Sequence, residues 1–458
     1  MRQLVRRHLR FFLIATAAAF ALRLVFYWKL RFLGGDTFIY GDIAKNWLQH
    51  GTFAITNDGV LVPTYIRLPG YPAFLAGLWK IAGIEHYNAA IFTQIFVDVG
   101  TCFLTCALAL SVVGQRAALA AFLLAALCPF TANYTITPLT ETLSIFFATL
   151  TLLCAVKALD QPQSALRSWI GCGLAIAASM LLRPDGGLLL PAIVGYVLLC
   201  PGRRVRQRIA TAALVSTLAL APLVPWTIRN WRVFHRFQPL TPKYANSPDE
   251  YLPMGYIHWA RTWVVDYAAV EDVLWKVPGE KLDIDAMPAR AFDNPREREE
   301  TARLFDAYNK TLAPITPELD SQFAALAQRR REHSRFRYYV WLPLLRLADM
   351  WLRPREEALP IDPHWWEYKD DPRDAAIGVA LGALNLVLIV AALMGAIRRK
   401  VRYAWLFILW VLLRCALLAT LENPETRYTL ECYPVVLIFA AANLKSRPEQ
   451  ERLVPANV

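Results

Sequence analysis

The chain has 458 residues, of which 56% are hydrophobic and 19% charged, with a net charge of +12 and a mean hydropathy of +0.31. That charged share lies below the roughly 25% of soluble domains, so an ordinary soluble domain is excluded. The positive excess sits in short arginine clusters bounded by apolar runs, which removes the need for a nucleic-acid partner.

Ten charge-poor runs recur, at 11–22, 87–113, 117–140, 142–156, 168–182, 187–200, 209–228, 375–397, 403–413 and 432–444. A bilayer core takes about 20 apolar helical residues to cross. Several runs meet that length, and the others need their flanks or a tilt. The expectation is an all-α polytopic membrane protein of about ten transmembrane helices. The first run, with its basic head and the Ala19-Phe20-Ala21 triplet, also has the form of a signal peptide. We read it as an anchor, because the spans that follow need one of the right orientation.

Lysine and arginine in short loops set that orientation. Residues 1–10 carry four Arg, "GRRVRQR" four more, and "RRKVR" three Arg and one Lys, whereas "FTANYTITP" and "LENPETRY" share one Arg. Both termini are expected on the cytoplasmic side, with 31–88 and 229–373 outside. The chain then divides into an N-terminal transmembrane module (1–228), an outer helical segment (229–373) and C-terminal transmembrane helices (374–458).

Within 31–88, the sequence predicts an amphipathic helix over about 37–50 with Asp36 as its N-cap. Tyr40, Ala44, Trp47 and Leu48 share one face and Asp42, Lys45, Asn46 and Gln49 another, which suits a helix lying on a membrane surface. A turn-rich stretch and a second helix over about 72–82 follow. Further on, Asn294-Pro295 and Thr316-Pro317 predict helix starts, giving helices over about 295–310 and 317–337. "YYVWLPLLRLADMWLRP" reads as an interfacial helix, since one extra span would move "RRKVR" outside.

Three charges fall inside spans: Arg23, Asp98 and Arg414. A lone charge at mid-helix costs about 2.5–3.5 kcal/mol on insertion scales. Asp98 is therefore expected to pair with Arg23 or Arg414, with Arg23 favoured because the first two spans are joined. The eight Cys are scattered in or beside spans, which argues against a disulfide framework or a zinc site. Cys102 and Cys106 share a helix face as small residues at a contact. His235 and His258 are isolated, so a divalent cation, if one binds, rests mainly on carboxylates, and its ligands are unknown.

"GDTFIYGDIAKNWLQHG…RLPGYPAFLAGLWKIAG" resembles the first outer loop of the GT-C membrane glycosyltransferases, which include protein O-mannosyltransferases and lipid A aminoarabinose transferases. The matching positions are Asp36, Tyr40, Ala44, Gly51 and Pro69-Gly70-Tyr71-Pro72. "PLTETLSIFF", "LLRPDGGLLLP", "PWTIRNWRVFHRF" and "ETRYTLECYPVVL" follow in the family's order, while 245–373 matches none of its motifs. The resemblance implies a GT-C-like fold and transfer of a sugar from a polyprenyl-phosphate donor to a glycan, lipid or protein acceptor at the outer face of the membrane. It also implies that Asp36 is the carboxylate at the reacting centre. Many relatives carry Asp-Glu where this chain has Asp36-Thr37, so a second adjacent acid has no assigned role.

A lipid-phosphate donor needs cations at its leaving group, and arginine offers a planar fork to phosphate. Arg67, Arg183, Arg229 and Arg427 stand at outer span ends, where they bind phosphate or snorkel to headgroups. Asp36, Asp42 and Glu141 are the candidate catalytic acids. Against these stand a plain helix cap for Asp36, an ion pair with Lys45 for Asp42, and a helix N-terminal acid for Glu141. Tyr40, Tyr71 and Tyr428 line a sugar site or belong to an aromatic belt. The competing function classes are a secondary transporter or flippase of a lipid-linked or anionic substrate, and a non-catalytic scaffold. A transporter is expected to show internal repeats, and the chain shows none.

Overall fold

The computed structural model describes residues 1–31, 33–161, 165–199, 204–247, 250–366 and 372–444. The basic cluster expected at 202–208 lies partly outside them. The described chain forms two units, one built from Met1–Pro248, Leu386–Arg414 and Leu430–Val458, the other from Asp249–Asn385 and Cys415–Thr429.

Every expected span has an apolar helix. Five are long and apolar enough to cross a membrane: Leu9–Leu30, Tyr87–Val112, Glu141–Asp160, Ala165–Leu182 and Pro372–Arg398. Two more are pairs bent by 42°, Gln115–Ala126 with Pro129–Ile136 and Val205–Leu220 with Leu223–Phe234. Pro184–Leu199 and Ala404–Leu418 are shorter. Tyr433–Ala442 is buried at all ten of its positions. The bends fall where Pro129 and Pro222 remove a backbone donor from the helix ladder. The expected uninterrupted spans 117–140 and 209–228 are thus broken ones.

In the first unit, Glu141–Asp160 packs against Ala165–Leu182 and Tyr87–Val112. Asp98 pairs with Arg23, whose Nε donates to Asp98 Oδ2 at 2.7 Å. Arg23 Nη1 also donates to the carbonyls of Ala19 and Ala126, each at 2.8 Å. Ala19 therefore sits at a buried helix contact. Cys102 and Cys106 are buried as expected.

The segment after the first span folds as helix Asp36–His50, a two-stranded hairpin and helix Gly70–Ala82. The hairpin pairs Ala54–Asn57 with Val60–Pro63, and Asn57 faces Val60. Asp58 and Gly59 hold φ of 48° and 79°, the two positive values of a tight primed turn. Asp36 is the first helical residue and Gly35 takes the N-cap position, contrary to the expected N-cap at Asp36. A Cβ on Gly70 would stand 2.5 Å from the Leu181 carbonyl oxygen. The glycine of the Pro-Gly-Tyr-Pro element thus lets that helix start directly against the end of Ala165–Leu182.

The second unit has its own aromatic core, in which Tyr256, Trp259, Trp263, Phe305 and Phe323 are buried together. Helix Pro295–Asn309 is capped by Asn294, which accepts from Glu297 N–H, and Pro317–His333 by Thr316, which accepts from Leu319 N–H. Both starts fall where the Asn-Pro and Thr-Pro pairs placed them. A wide turn, Arg337–Trp341, leads into helix Leu342–Leu352.

Candidate active site

The Asp36 carboxylate meets Arg67, whose Nη2 donates to Oδ1 at 2.6 Å. Arg67 Nη1 bonds the Ile66 carbonyl at 3.0 Å, and the guanidinium lies 5.6 Å from the centre of the Tyr40 ring. The pair is partly open to solvent, with Asp36 36% and Arg67 15% exposed. An acid and a cation are thus held together at the head of an amphipathic helix.

Tyr40 is the hinge of the arrangement. One turn along from Asp36, it is buried, meets the Tyr71 ring edge-on at 5.0 Å and packs with Leu143 and Leu182. Burial pushes its phenol up to about 12, with Arg67 opposing that push and Asp36 and Glu141 adding to it. Tyr71 donates from its hydroxyl to Gln94 Oε1 at 2.6 Å. Gln94 in turn donates to the carbonyls of Thr135 and Thr137, which satisfies every polar end of this buried chain.

Two residues before Leu143 and one after Leu182 lies a second group of charges. Arg183 Nη1 donates to Glu141 Oε1 at 2.9 Å and its Nε to Asp185 Oδ1 at 3.2 Å. Arg414 donates to Glu431 Oε2 at 2.7 Å and to Asp185 Oδ2 at 2.9 Å. Arg414 therefore serves this cluster, and Asp98 belongs to Arg23. Three carboxyls face two guanidiniums. Against the upward push of burial, Arg183 and Arg414 hold Asp185 below the usual carboxylate range, while burial pushes Glu431 up.

The other candidate residues are placed differently. Asp42 accepts from the Thr56 amide at 2.5 Å and the Thr56 hydroxyl at 2.9 Å, so it fastens the hairpin to its helix. Lys45 pairs with Glu85 at 2.8 Å, away from the expected Asp42 partner. Arg229 donates to the carbonyls of Thr64 at 2.6 Å and Phe53 at 2.7 Å, among the rings of Phe53, Trp226 and Phe234. In the second unit, Arg427 Nε pairs with Glu425 Oε2 at 2.6 Å, and the Tyr428 hydroxyl donates to Glu425. Asp185, Arg414 and Glu431 were not among the sequence-derived site residues, although two of them lie inside the family motifs "LLRPDGGLLLP" and "ETRYTLECYPVVL".

Residues 63–228 match the family model described as dolichyl-phosphate-mannose-protein mannosyltransferase. No curated protein sequence matches the chain. Among solved structures, an Archaeoglobus fulgidus oligosaccharyltransferase tethered to an acceptor peptide is similar over 95% of this chain and 49% of its own, with 14% identity and a TM-score of 0.54. The Archaeoglobus fulgidus oligosaccharyltransferase AglB, in complex with an inhibitory peptide and a dolichol-phosphate, gives 14% identity, 95% and 50% coverage and a TM-score of 0.54. ArnT from Cupriavidus metallidurans, bound to undecaprenyl phosphate, gives 13% identity, 96% and 77% coverage and a TM-score of 0.42. The chain spans about half the length of the oligosaccharyltransferases. In sequence over 63–228, and in fold over nearly its whole length, the chain resembles the GT-C membrane glycosyltransferases.

Proposed function

We propose that this chain transfers a sugar from a polyprenyl-phosphate donor to an acceptor hydroxyl at the outer face of the cytoplasmic membrane. The observation that carries the reading is the Asp36–Arg67 pair, seated over Tyr40 in a partly open position next to apolar helices. The mannosyltransferase family match supports it. So does the dolichol-phosphate named with AglB, which shares the fold.

In this reading Asp36 accepts the proton of the acceptor hydroxyl as its oxygen bonds to the anomeric carbon. The bond from that carbon to the phosphate oxygen breaks, and its electron pair leaves with polyprenyl phosphate. Arg67, joined by Arg183 at the edge of the second charge group, takes up the negative charge that develops there. Such placement of cations is usually a large share of catalysis. Tyr40 backs the sugar position with Tyr71 packed behind it, Glu141 fixes Arg183, and Asp42 and Arg229 hold the hairpin.

Among the described residues no three His, Cys, Asp or Glu side chains are grouped to hold a metal ion, and Asp36 faces a guanidinium. The discriminating experiment is mass spectrometry of envelope glycans and lipids from cells with the protein, without it, and with Asp36→Asn. A glycosylated product that disappears in the second and third samples supports the reading. Full product with Asp36→Asn overturns the assignment of the base.

A further inference from the structure

The second unit carries a surface that the proposed transfer does not use. From Phe336 onward the chain shows two rows at four-residue steps. Tyr338, Leu342, Arg346 and Met350 are buried, and Arg346 Nε donates to the Val264 carbonyl at 2.8 Å. On the opposite row, Phe336, Val340, Leu344 and Leu352 are 69%, 41%, 52% and 49% exposed, with Tyr339 and Trp341 beside them at 60% and 51%. Several large apolar side chains exposed along one helix mark a candidate contact surface.

The row continues upstream into charge. Between 329 and 337 stand five arginines. Arg329 pairs with Glu300, Arg330 with Glu297 and Arg337 with Asp293. Arg331 and Arg335 have no ion-pair partner among the described residues, and both are exposed. With Glu332 and Tyr339 they line a shallow cavity of about 350 Å³. Glu332 accepts from Gln328 Nε2 at 2.8 Å, so its carboxylate is engaged on its own helix.

We propose that this face lies on the bilayer, with the apolar row at the acyl boundary and Arg331 and Arg335 holding the phosphate headgroups of anionic lipids. The face joins exposed aliphatic and aromatic side chains to a basic end, a combination suited to a lipid interface. Paired arginines bind phosphate oxygens through their forked donors, and anionic lipids attract clustered cations near the surface. The unit is also tethered, since its chain leads into the apolar helix Pro372–Arg398, which keeps the surface at high effective concentration near lipid. The proposal stands independently of the sugar or acceptor.

The test uses the full chain with Val340→p-benzoylphenylalanine, reconstituted in vesicles of phosphatidylcholine alone or with phosphatidylglycerol and then irradiated. Phospholipid adducts are expected, several times more abundant with phosphatidylglycerol. That excess should vanish in Arg331→Gln/Arg335→Gln, whose exposed side chains leave the melting temperature unchanged. The same probe at the exposed position Asp306 should give no adduct. Absence of lipid adducts at 340, adducts to a second protein chain in their place, or a yield indifferent to both phosphatidylglycerol and the arginines would overturn it.

Discussion

Arg23 and Asp98 lie 75 positions apart and meet as a buried ion pair, with the guanidinium also bonded to the Ala19 and Ala126 carbonyls. One side chain thereby ties three helices. Removing one partner of such a pair leaves an uncompensated buried charge, at a cost of about 3–5 kcal/mol. Asp98→Arg should therefore cripple folding. Arg23→Asp added to it should restore part of the yield, but not all, because an aspartate cannot donate to the two carbonyls. Monodisperse yield in detergent measures this, and an unrescued double variant would argue against the pair.

Asp36→Asn should lower transfer by about 10²–10⁴, the range of a positioned general base, with folding intact because the side chain is 36% exposed. Arg67→Lys keeps the charge but loses the fork that reaches both Asp36 and the Ile66 carbonyl. About a tenfold loss or more is expected, on the premise that bidentate sites do not tolerate the exchange. Transfer rates of purified variants decide between this and a merely electrostatic Arg67, for which lysine would suffice.

Asp42→Asn should act differently. Its carboxylate receives the Thr56 amide and hydroxyl, so the first loss is order in the hairpin. Hydrogen exchange at the Thr56 amide should accelerate, with a smaller drop in transfer than Asp36→Asn gives. Equal losses from the two variants, with Thr56 exchange unchanged, would place Asp42 in the chemistry.

Much of this was readable from local signals. Asn294 and Thr316 announced helix starts because an N-cap followed by proline satisfies a fixed set of backbone groups. The Arg23–Asp98 pair was readable because charges inside a bilayer need partners at matching depth. The hairpin also had its signal, Asn57-Asp58-Gly59 between β-branched residues, but the flanking prolines obscured it. The roles of Asp42 and Arg229 were not readable, since their partners include backbone groups of residues 53, 56 and 64. Backbone groups have no residue-specific signature. Nor does a sequence show which of several arginines meets which acid, and Arg414 found Asp185 and Glu431 through the fold alone.

The five-residue charge group makes a comparative prediction. Asp185 is shared by two guanidiniums, whereas burial pushes Glu431 toward its neutral form. Glu431→Gln removes the acid whose neutral form burial favours and keeps an acceptor for Arg414, and should cost less stability than Asp185→Asn. Asp185→Asn leaves the two arginines short of a charge and should cost about 3–5 kcal/mol. Thermal unfolding in detergent measures both, and the reverse ranking would move the proton to Asp185.

The second unit should lose stability as pH rises. Asp349 is pushed up to about 7 by burial, against Arg353 and with Asp266 adding to the shift. Glu356 is likewise pushed up to about 7 by burial, against Arg353 and with Glu357 adding to it. A carboxyl whose folded value exceeds its unfolded value of about 4 binds its proton more tightly when folded. The stability it contributes is full below about pH 4 and is lost as pH climbs toward 7. The two acids share Arg353, so their effects do not add, and a fall of roughly 1–3 kcal/mol is expected across that window. Asp349→Asn fixes one acid in its neutral form and should flatten the profile while raising stability at pH 7. Hydrogen exchange of the Tyr267 amide, which donates to Asp349 at 3.1 Å, reports the change locally. Exchange that slows as pH rises, after correction for intrinsic rates, would show that Asp349 is charged throughout and held by Arg353.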